Sequence, residues 1–147
     1  MNNTLHNSKD FEGMRKAGNL AASTLDLLVD HVKPGVSTDE LDYFAFEFIT
    51  KNGGLIAPLF YKGFPKSICT SINHVICHGI PSSRILEEGD IVNIDVTVIV
   101  DGWHGDTSRM FPVGKINAKA QKLIDCTFES MNEGIKAAGP KSHLGDI

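Results

Sequence analysis

The sequence lacks the features of a membrane or nucleic-acid-binding protein. Among its 147 residues, no apolar run approaches the ~20 residues that a membrane-spanning helix needs. Its 14 basic and 18 acidic side chains give a net charge of -4, whereas nucleic-acid binders usually carry a strong basic excess. The N-terminus does not show the charged-then-apolar layout of a secretory signal. We therefore expect a soluble cytoplasmic protein with neither a membrane nor a nucleic-acid partner.

Cysteine is scarce, and its odd count excludes a complete set of internal disulfides. Cys69, Cys77 and Cys126 are the three cysteines, and reduced thiols are their natural state in a cytosolic protein. Hydrophobic residues make up 41% and charged residues 22%, which is typical of globular proteins. The composition therefore permits one core in a single domain over residues 1–147, with residues 1–7 as a loose polar leader.

Three helices are predicted from apolar spacing and end signals. Ser8 is the expected N-cap of the first helix, which 33–35 (Lys-Pro-Gly) should stop. Ser37 and Glu40 form a capping box before the second helix, which Gly53 and Gly54 end. A third helix places apolar residues from Leu123 to Ile135 at helical spacing and ends at 139–140 (Gly-Pro).

Between the second and third helices the pattern changes to strands. Residues 67–72 and 74–78 are predicted as short strands with a break at Asn73. The strongest strand signal is 91–100, followed by the hairpin turn 101–102 (Asp-Gly) and a return strand from 103 to about 112. Helices and strands in separate runs predict an α+β fold.

Two aspartates lie within this predicted hairpin. A two-residue turn at 101–102 sets Asp95 opposite Ser108 and Asp106 opposite Thr97. The two aspartates then lie diagonally on one face, roughly 7–8 Å apart at the backbone. Such a pair can bind one metal ion, or two ions ~3.5–4 Å apart.

Structural roles remain open for both carboxylates. Asp106 can belong to a turn-rich corner at 105–107, and Asp95 can pair with Arg109. Two aspartates also do not complete a site, because hard divalent ions take more oxygen or imidazole ligands.

Several motifs together resemble the type I methionine aminopeptidases of bacteria and organelles. They are NIDVTV (93–98), DGWHGDTS (101–108), YKGFPKSICTSIN (61–73), VICHGIP (75–81) and KPGVST (33–38). The resemblance spans nearly the whole chain. It implies the pita-bread fold, of which this chain would form the N-terminal half and the first helix of the second half. It also implies a usually monomeric enzyme that removes the initiator methionine from nascent polypeptides near the ribosome, in a metal-dependent reaction.

The resemblance also implies roles for individual residues. Asp95 and Asp106 match ligands of two divalent ions (Co, Mn, Fe or Zn), and His78 matches a catalytic histidine that contacts the substrate. Tyr61, Phe64 and Cys69 match the methionine pocket, and Asn73 and Val75 match a monovalent-cation site. Taken without the resemblance, His78 is more often a turn histidine, Tyr61 and Phe64 packing residues, and Cys69 a small buried hydrophobe.

Part of the implied ligand set has no match in this sequence. The family uses five protein ligands, and a Gly-His-Gly motif and two strand glutamates are missing from this chain. Glu129 and Glu133 fall on the third predicted helix, on its solvent-facing side. We therefore expect a truncated metalloaminopeptidase that is inactive alone, with an unpaired sheet edge that can promote association. The alternatives are a non-catalytic pita-bread remnant that binds a partner and a small metal-binding protein.

Overall fold

The computed structural model describes residues 5–147, which divide into two compact units. The first unit, ending at Lys115, contains α1, α2 and a four-stranded sheet; the second, Ile116–Ile147, contains α3. The elements are α1 Ser8–Leu28, α2 Thr38–Lys51, β1 Leu55–Ile56, β2 Cys69–Ile72, β3 Ile91–Val100, β4 Trp103–Pro112 and α3 Ala118–Ala137. This mixture confirms the α+β prediction. Within the described residues, no helix is long and apolar enough to cross a membrane.

The first helix begins one residue earlier than the capping signal suggested. Asn7, not Ser8, is the N-cap: its side chain accepts from the Lys9 amide at 2.9 Å, and Asp10 accepts from the Asn7 amide at 2.8 Å. Asp10 lies three residues after Asn7, so the reciprocal capping box requires this register. Residues 5–7 of the predicted leader lie outside the helix, and residues 1–4 lie outside the described residues.

The same helix ends at Leu28, well before the predicted stop at 33–35. The amides of His31 and Val32 both donate to the Leu28 carbonyl, at 3.0 Å, and close a turn there. Leaving the helix at this point allows Val32 to enter the core and the His31 ring to stack on Phe44 of α2, with centroids 4.1 Å apart. Tertiary packing on α2 therefore ends the helix before the proline does.

The second helix follows its sequence signals closely. Ser37 Oγ accepts from the Glu40 amide at 3.2 Å, and the Ser37 amide donates to Glu40 Oε2 at 2.8 Å, which confirms the capping box. The helix ends at Lys51, and Gly53 takes the left-handed conformation, with φ +77°. Its buried positions Leu41, Ala45 and Ile49 form the face that packs into the core.

The sheet is built around β3, whose bounds are those predicted. β4 pairs antiparallel with β3 over all ten residues, from Val100↔Trp103 to Ile91↔Pro112. β1 pairs with residues 98–99 of β3 and β2 with residues 92–95, also antiparallel. Because β4 occupies one edge of β3 along its whole length, β1 and β2 share the other edge. No strand within residues 5–147 pairs with the outer edge of β4.

Alternation along β3 separates the two faces of the sheet. Val92, Ile94, Val96 and Val98 are fully buried against α1 and α2, whereas Asn93, Asp95 and Thr97 on the opposite face remain partly exposed. Helix α1 lies very close to β4: a Cβ at Gly105 would be 2.2 Å from backbone atoms of Ala17. The helices therefore cover one face, and the face that carries Asp95 is left open for a site.

The strand predicted over 74–78 is not formed. Asn73 takes a left-handed conformation, with φ +52°, and the chain leaves the sheet in a turn followed by an irregular loop. Ile76, in the middle of the predicted strand, is 94% exposed. The apolar run was misleading because the backbone reverses at Asn73. The two-residue strand β1 was not predicted, and β2 is shorter than the predicted 67–72.

The third predicted helix is confirmed as α3, with Asn117 as its N-cap accepting from the Ala120 amide at 2.9 Å. It ends at Ala137, shortly before Gly139. Glu129 and Glu133 are exposed, as predicted, and Glu133 pairs with Lys136 Nζ at 2.7 Å. The chain continues into a one-turn 3₁₀ helix, Leu144–Asp146.

Candidate metal and substrate site

The two aspartates predicted to share a face do so. Asp95 pairs with Ser108, and Thr97 pairs with Asp106, as the two-residue turn required. Both turn residues have positive φ, +51° at Asp101 and +84° at Gly102, which matches the right-handed twist of the hairpin. The register places both carboxylates on the open face of the sheet.

The two structural alternatives for these carboxylates are overturned. Asp106 lies inside β4 rather than in a turn. Arg109 pairs with Ile94 and so lies on the helix-covered face, where its Nη2 donates to Asp26 of α1 at 2.8 Å. Arg109 therefore does not neutralise Asp95.

Asp95 lies in an environment that disfavours its charge. Burial raises its pKa first, and the charge of Asp106 and a hydrogen bond shared with that carboxylate raise the pKa further. The charge of His78 and the Val96 amide act in the opposite direction but do not outweigh these effects. The pair therefore has excess negative charge, and a bound cation would relieve it.

Cys69 lies on the same face as the carboxylates. It is the β2 partner of Asp95 in the ladder, and only 8% of it is exposed. Burial raises the pKa of its thiol to about 11, with further contributions from the charges of Asp95 and other nearby acidic groups. At neutral pH the thiol is therefore protonated, and it offers a soft, weakly polar surface.

His78 reaches the site from the loop after β2. The next residue, Gly79, accepts from the amide of Thr70, the neighbour of Cys69, at 2.8 Å, and the charge of His78 acts to lower the pKa of Asp95. His78 therefore lies beside the face that carries Cys69 and the two aspartates. The residue is exposed, and its backbone is left-handed, with φ +55°. Few non-glycine residues adopt this conformation, and it is often found at functional positions.

Tyr61 and Phe64 lie on a tight turn that follows β1. The Ala57 amide donates to the carbonyl of Thr97 at 3.1 Å, and Thr97 is the ladder partner of Asp106. This bond fixes the start of the segment near the carboxylates. The Phe60 amide donates to the Phe64 carbonyl at 2.7 Å and closes the turn. Phe64 is partly buried and Tyr61 is 65% exposed, so Tyr61 is open to a ligand.

Asn73 and Val75, predicted at a monovalent-cation site, lie in the turn after β2. Both ends of the Asn73 side chain are hydrogen-bonded: Nδ2 donates to Asp90 Oδ1 at 2.7 Å, and Oδ1 accepts from the Ile91 amide at 3.0 Å. The Val75 amide donates to the Ile72 carbonyl at 3.0 Å. The main-chain carbonyls at these two positions remain available to a cation, and the cation site stays a prediction.

Two residues that support the site were missed by the sequence reasoning. Asp42 of α2 is buried and accepts from the amides of Ser67 and Ile68, at 2.7 and 3.1 Å, and so fixes the chain entering β2. Ser71 accepts from the Gly79 amide at 3.2 Å. An acidic residue within the apolar face of α2 signals the first contact. The hydrogen bond between Ser71 and Gly79 has no local sequence signal, because eight residues separate the two.

The chain matches known proteins along most of its length. The family model of metallopeptidase family M24 matches residues 12–147. The methionine aminopeptidase of Rickettsia prowazekii is 58% identical over 143 residues, covering 97% of this chain and 55% of the relative. The crystal structure of the R. prowazekii enzyme aligns with a TM-score of 0.89 and 59% identity over 90% of this chain and 53% of that one. The crystal structure of the Thermotoga maritima methionine aminopeptidase aligns with a TM-score of 0.90 and 28% identity, over 93% of this chain and 55% of that one.

These matches also settle the architecture. The solved structures have the pita-bread fold, so the expected fold is confirmed, and the chain spans about half the length of the relatives it matches. The resemblance found in the separate motifs thus extends to sequence and fold together. The chain belongs to metallopeptidase family M24.

Proposed function

We propose that this chain forms the Asp95–Asp106 side and the methionine-binding wall of a methionine aminopeptidase site, which removes methionine from polypeptide N-termini. The observation that carries the proposal is the placement of Asp95, Asp106 and Cys69 on one open sheet face, with His78 in the adjoining loop. The identity to the R. prowazekii methionine aminopeptidase supports it.

The family implies a divalent metal, and the residues fit such an ion in part. The two carboxylates are close enough for the charge of Asp106 to raise the pKa of Asp95, so they form a suitable pair of oxygen donors. Among residues 5–147, however, no group of three or more His, Cys, Asp or Glu side chains can hold a metal ion. Asp95 and Asp106 would hold Mn, Fe, Co or Zn from one side, with further ligands needed. When bound, the ion supplies Lewis acidity at the substrate carbonyl.

The other residues have roles in binding the substrate. Cys69 presents a protonated thiol, which suits the unbranched thioether of methionine, and Phe64 and Tyr61 add aromatic surface. His78 donates a hydrogen bond to the peptide next to the bond that is cleaved. Because the carboxylates are on the same face as Cys69, the methionine side chain and the first peptide bond lie on one side of the sheet.

We further propose that the substrates are nascent polypeptides in the cytoplasm. An N-terminal methionine is the residue with which their synthesis begins, and the free cysteines Cys69, Cys77 and Cys126 fit a reducing compartment.

The experiment uses the 147-residue chain joined to the part of the R. prowazekii enzyme that it does not match. The chimera is expected to cleave Met-Ala-Ser but not Leu-Ala-Ser, with added Mn²⁺ or Co²⁺. Asp95→Asn and Asp106→Asn should each abolish cleavage, while Asp30→Asn, at an exposed position away from the site, should not. A chimera that folds and binds metal but cleaves neither peptide would refute the proposal.

The isolated chain serves as the second arm. With two carboxylates as its metal donors, it should hydrolyse Met-Ala-Ser far more slowly than the R. prowazekii enzyme. Metal-dependent turnover equal to that of the relative would show that Asp95 and Asp106 suffice without further ligands.

A further inference from the structure

The loop that carries His78 is fastened to the edge of β2 by its next residue. Gly79 makes two hydrogen bonds with that strand: its carbonyl accepts from the Thr70 amide at 2.8 Å, and its amide donates to Ser71 Oγ at 3.2 Å. The first bond is between main-chain atoms and forms with any residue other than proline at position 70. The second depends on the Ser71 side chain.

The approach of Gly79 to β2 is too close for a side chain. A Cβ at Gly79 would be 2.1 Å from the Thr70 carbonyl oxygen. The preceding residue, His78, has a left-handed backbone, with φ +55°. Because histidine rarely adopts a positive φ by its own preference, we infer that the seat of Gly79 on β2 holds His78 in this conformation.

The other end of the loop is fixed separately. Asn73 donates from its amide to the Ile91 carbonyl at 2.9 Å, and its side chain bonds to Asp90 and to the Ile91 amide. Asn73 is held at the start of β3 and the Val75 amide donates to the Ile72 carbonyl at 3.0 Å, so the segment 76–78 is attached next at Gly79. Releasing that attachment frees His78 while the start of the loop stays in place.

Ser71 is placed to act on the site face. It pairs with Asn93 in the ladder, two residues from the Cys69↔Asp95 pair, so its side chain shares the open face with Cys69 and Asp95. It is 4% exposed, and a buried hydroxyl in this position has a fixed direction. Its Oγ therefore connects β2, the strand that carries Cys69, to the loop that carries the histidine.

We propose that Ser71 is a positioning residue: by accepting the Gly79 amide, its hydroxyl holds the loop against β2 and limits His78 to one conformation beside the carboxylate face. The inference rests on the proposed function for the role of His78. It goes further in assigning Ser71 and Gly79 to the orientation of that histidine.

The test uses NMR of the full 147-residue chain with ¹³C-labelled histidine. Ser71→Ala removes the acceptor, Ser71→Thr retains it, and Ser67→Ala is the matched control because Ser67 is a buried serine four residues earlier. In Ser71→Ala, hydrogen exchange of the Gly79 amide should accelerate roughly two- to tenfold, the range expected for losing one hydrogen bond. The His78 ring signals should broaden or split. Ser71→Thr should restore both properties.

The amides of Ile94 and Val96 in the core strand report whether a variant has destabilised the whole domain. They should exchange at wild-type rates in Ser71→Ala. If that variant fails to fold, Ser71→Cys, with a weaker acceptor of similar size, should give an intermediate effect on Gly79. Wild-type Gly79 exchange and wild-type His78 signals in Ser71→Ala would overturn the proposal, as would equal changes in Ser67→Ala. These readouts need no turnover, so they are independent of whether the chimera cleaves methionyl peptides.

Discussion

Asp95 and Asp106 lie diagonally across the β3–β4 ladder, on the face of the sheet that the helices do not cover. The arrangement places two carboxylates together, and Arg109, the nearby cation on β4, is on the opposite face with Asp26. Two neighbouring negative charges destabilise the fold when no cation is bound, and they favour the binding of a cation. The same sheet therefore has a stable apolar face and a face suited to a site.

Removing one of these charges should stabilise the fold and weaken metal binding. Without metal, Asp106→Asn should raise the free energy of unfolding by about 0.2–1 kcal/mol, the usual size of a side-chain interaction between neighbouring strands. Its affinity for Mn²⁺ should fall at least tenfold. Urea denaturation and titration calorimetry measure the two effects. Asp30→Asn, in an exposed position of the α1–α2 connection, should change neither. A loss of stability in Asp106→Asn would contradict the repulsion.

Cysteine labelling should separate the buried thiol from the other two. With a pKa of about 11, Cys69 is a thiolate in roughly one molecule in three thousand at pH 7.5. Only 8% of the residue is exposed, which further slows its modification. Iodoacetamide should therefore modify Cys77 and Cys126, which are exposed, at least tenfold faster. Peptide mapping by mass spectrometry gives the three rates. In urea the three rates should converge, and a fast Cys69 in the native chain would show that it is accessible.

Protonation of Asp90 should make the fold less stable in acid. Burial acts to raise its pKa, but bonds from the Glu87 amide and Asn73, together with Arg84, outweigh burial and hold the pKa below its usual value. A lowered pKa means that this stabilisation is complete above the pKa of the unfolded chain and is lost as pH falls through the folded value. Asp90→Asn should cost about 1–3 kcal/mol at pH 7, because buried bonds are lost. It should also reduce the slope of stability between about pH 5 and 3 in denaturation experiments.

Asp42 supplies the opposite pH dependence within the same fold. Burial raises its pKa more than the bonds from Ser67 and Ile68 lower it. Its contribution is therefore present below the unfolded pKa and is lost as pH rises through the folded value. Asp42→Asn keeps an oxygen acceptor for both amides, so urea denaturation at pH 7 should show stability unchanged or higher. A loss at pH 7 as large as that of Asp90→Asn would show that the Asp42 charge is needed.

Replacing each of two glycines near the α1–β4 contact with alanine should change the stability of the fold in opposite directions. Gly105→Ala would put a methyl group 2.2 Å from the Ala17 backbone, so we expect about 1–3 kcal/mol of destabilisation from overpacking. Gly18→Ala, inside α1 with nothing within 4 Å, should stabilise by up to about 1 kcal/mol through helix propensity. Thermal and urea unfolding measure both. Equal effects would mean that α1 is not seated on β4 as described.

Much of this site follows from local sequence because a short turn controls it. Asp101 and Gly102 accept positive φ, so the two strands must meet with Asp95 opposite Ser108, and the alternation of β3 then fixes which side chains are buried. The Ser37–Glu40 capping box likewise acts within four residues. Such features were predictable because their partners are near in sequence.

The errors share a different cause. Val32 leaves α1 to enter the core beside α2, and the predicted strand 74–78 becomes a loop because Asn73 bonds to Asp90 and Ile91, 17 and 18 residues away. In both places a long-range contact outweighs the local preference of the chain for a helix or a strand.

The sequence by itself determined the hairpin, the shared face of Asp95 and Asp106, the second helix and the family resemblance, since turn chemistry and side-chain alternation are local. Only the tertiary structure decided how His78 approaches that face. Its direction comes from Gly79 lying against β2 and from the Ser71 hydroxyl, and these contacts form only when the loop folds back on the sheet. The carboxylates are positioned by a turn of two residues, and the histidine is positioned by packing.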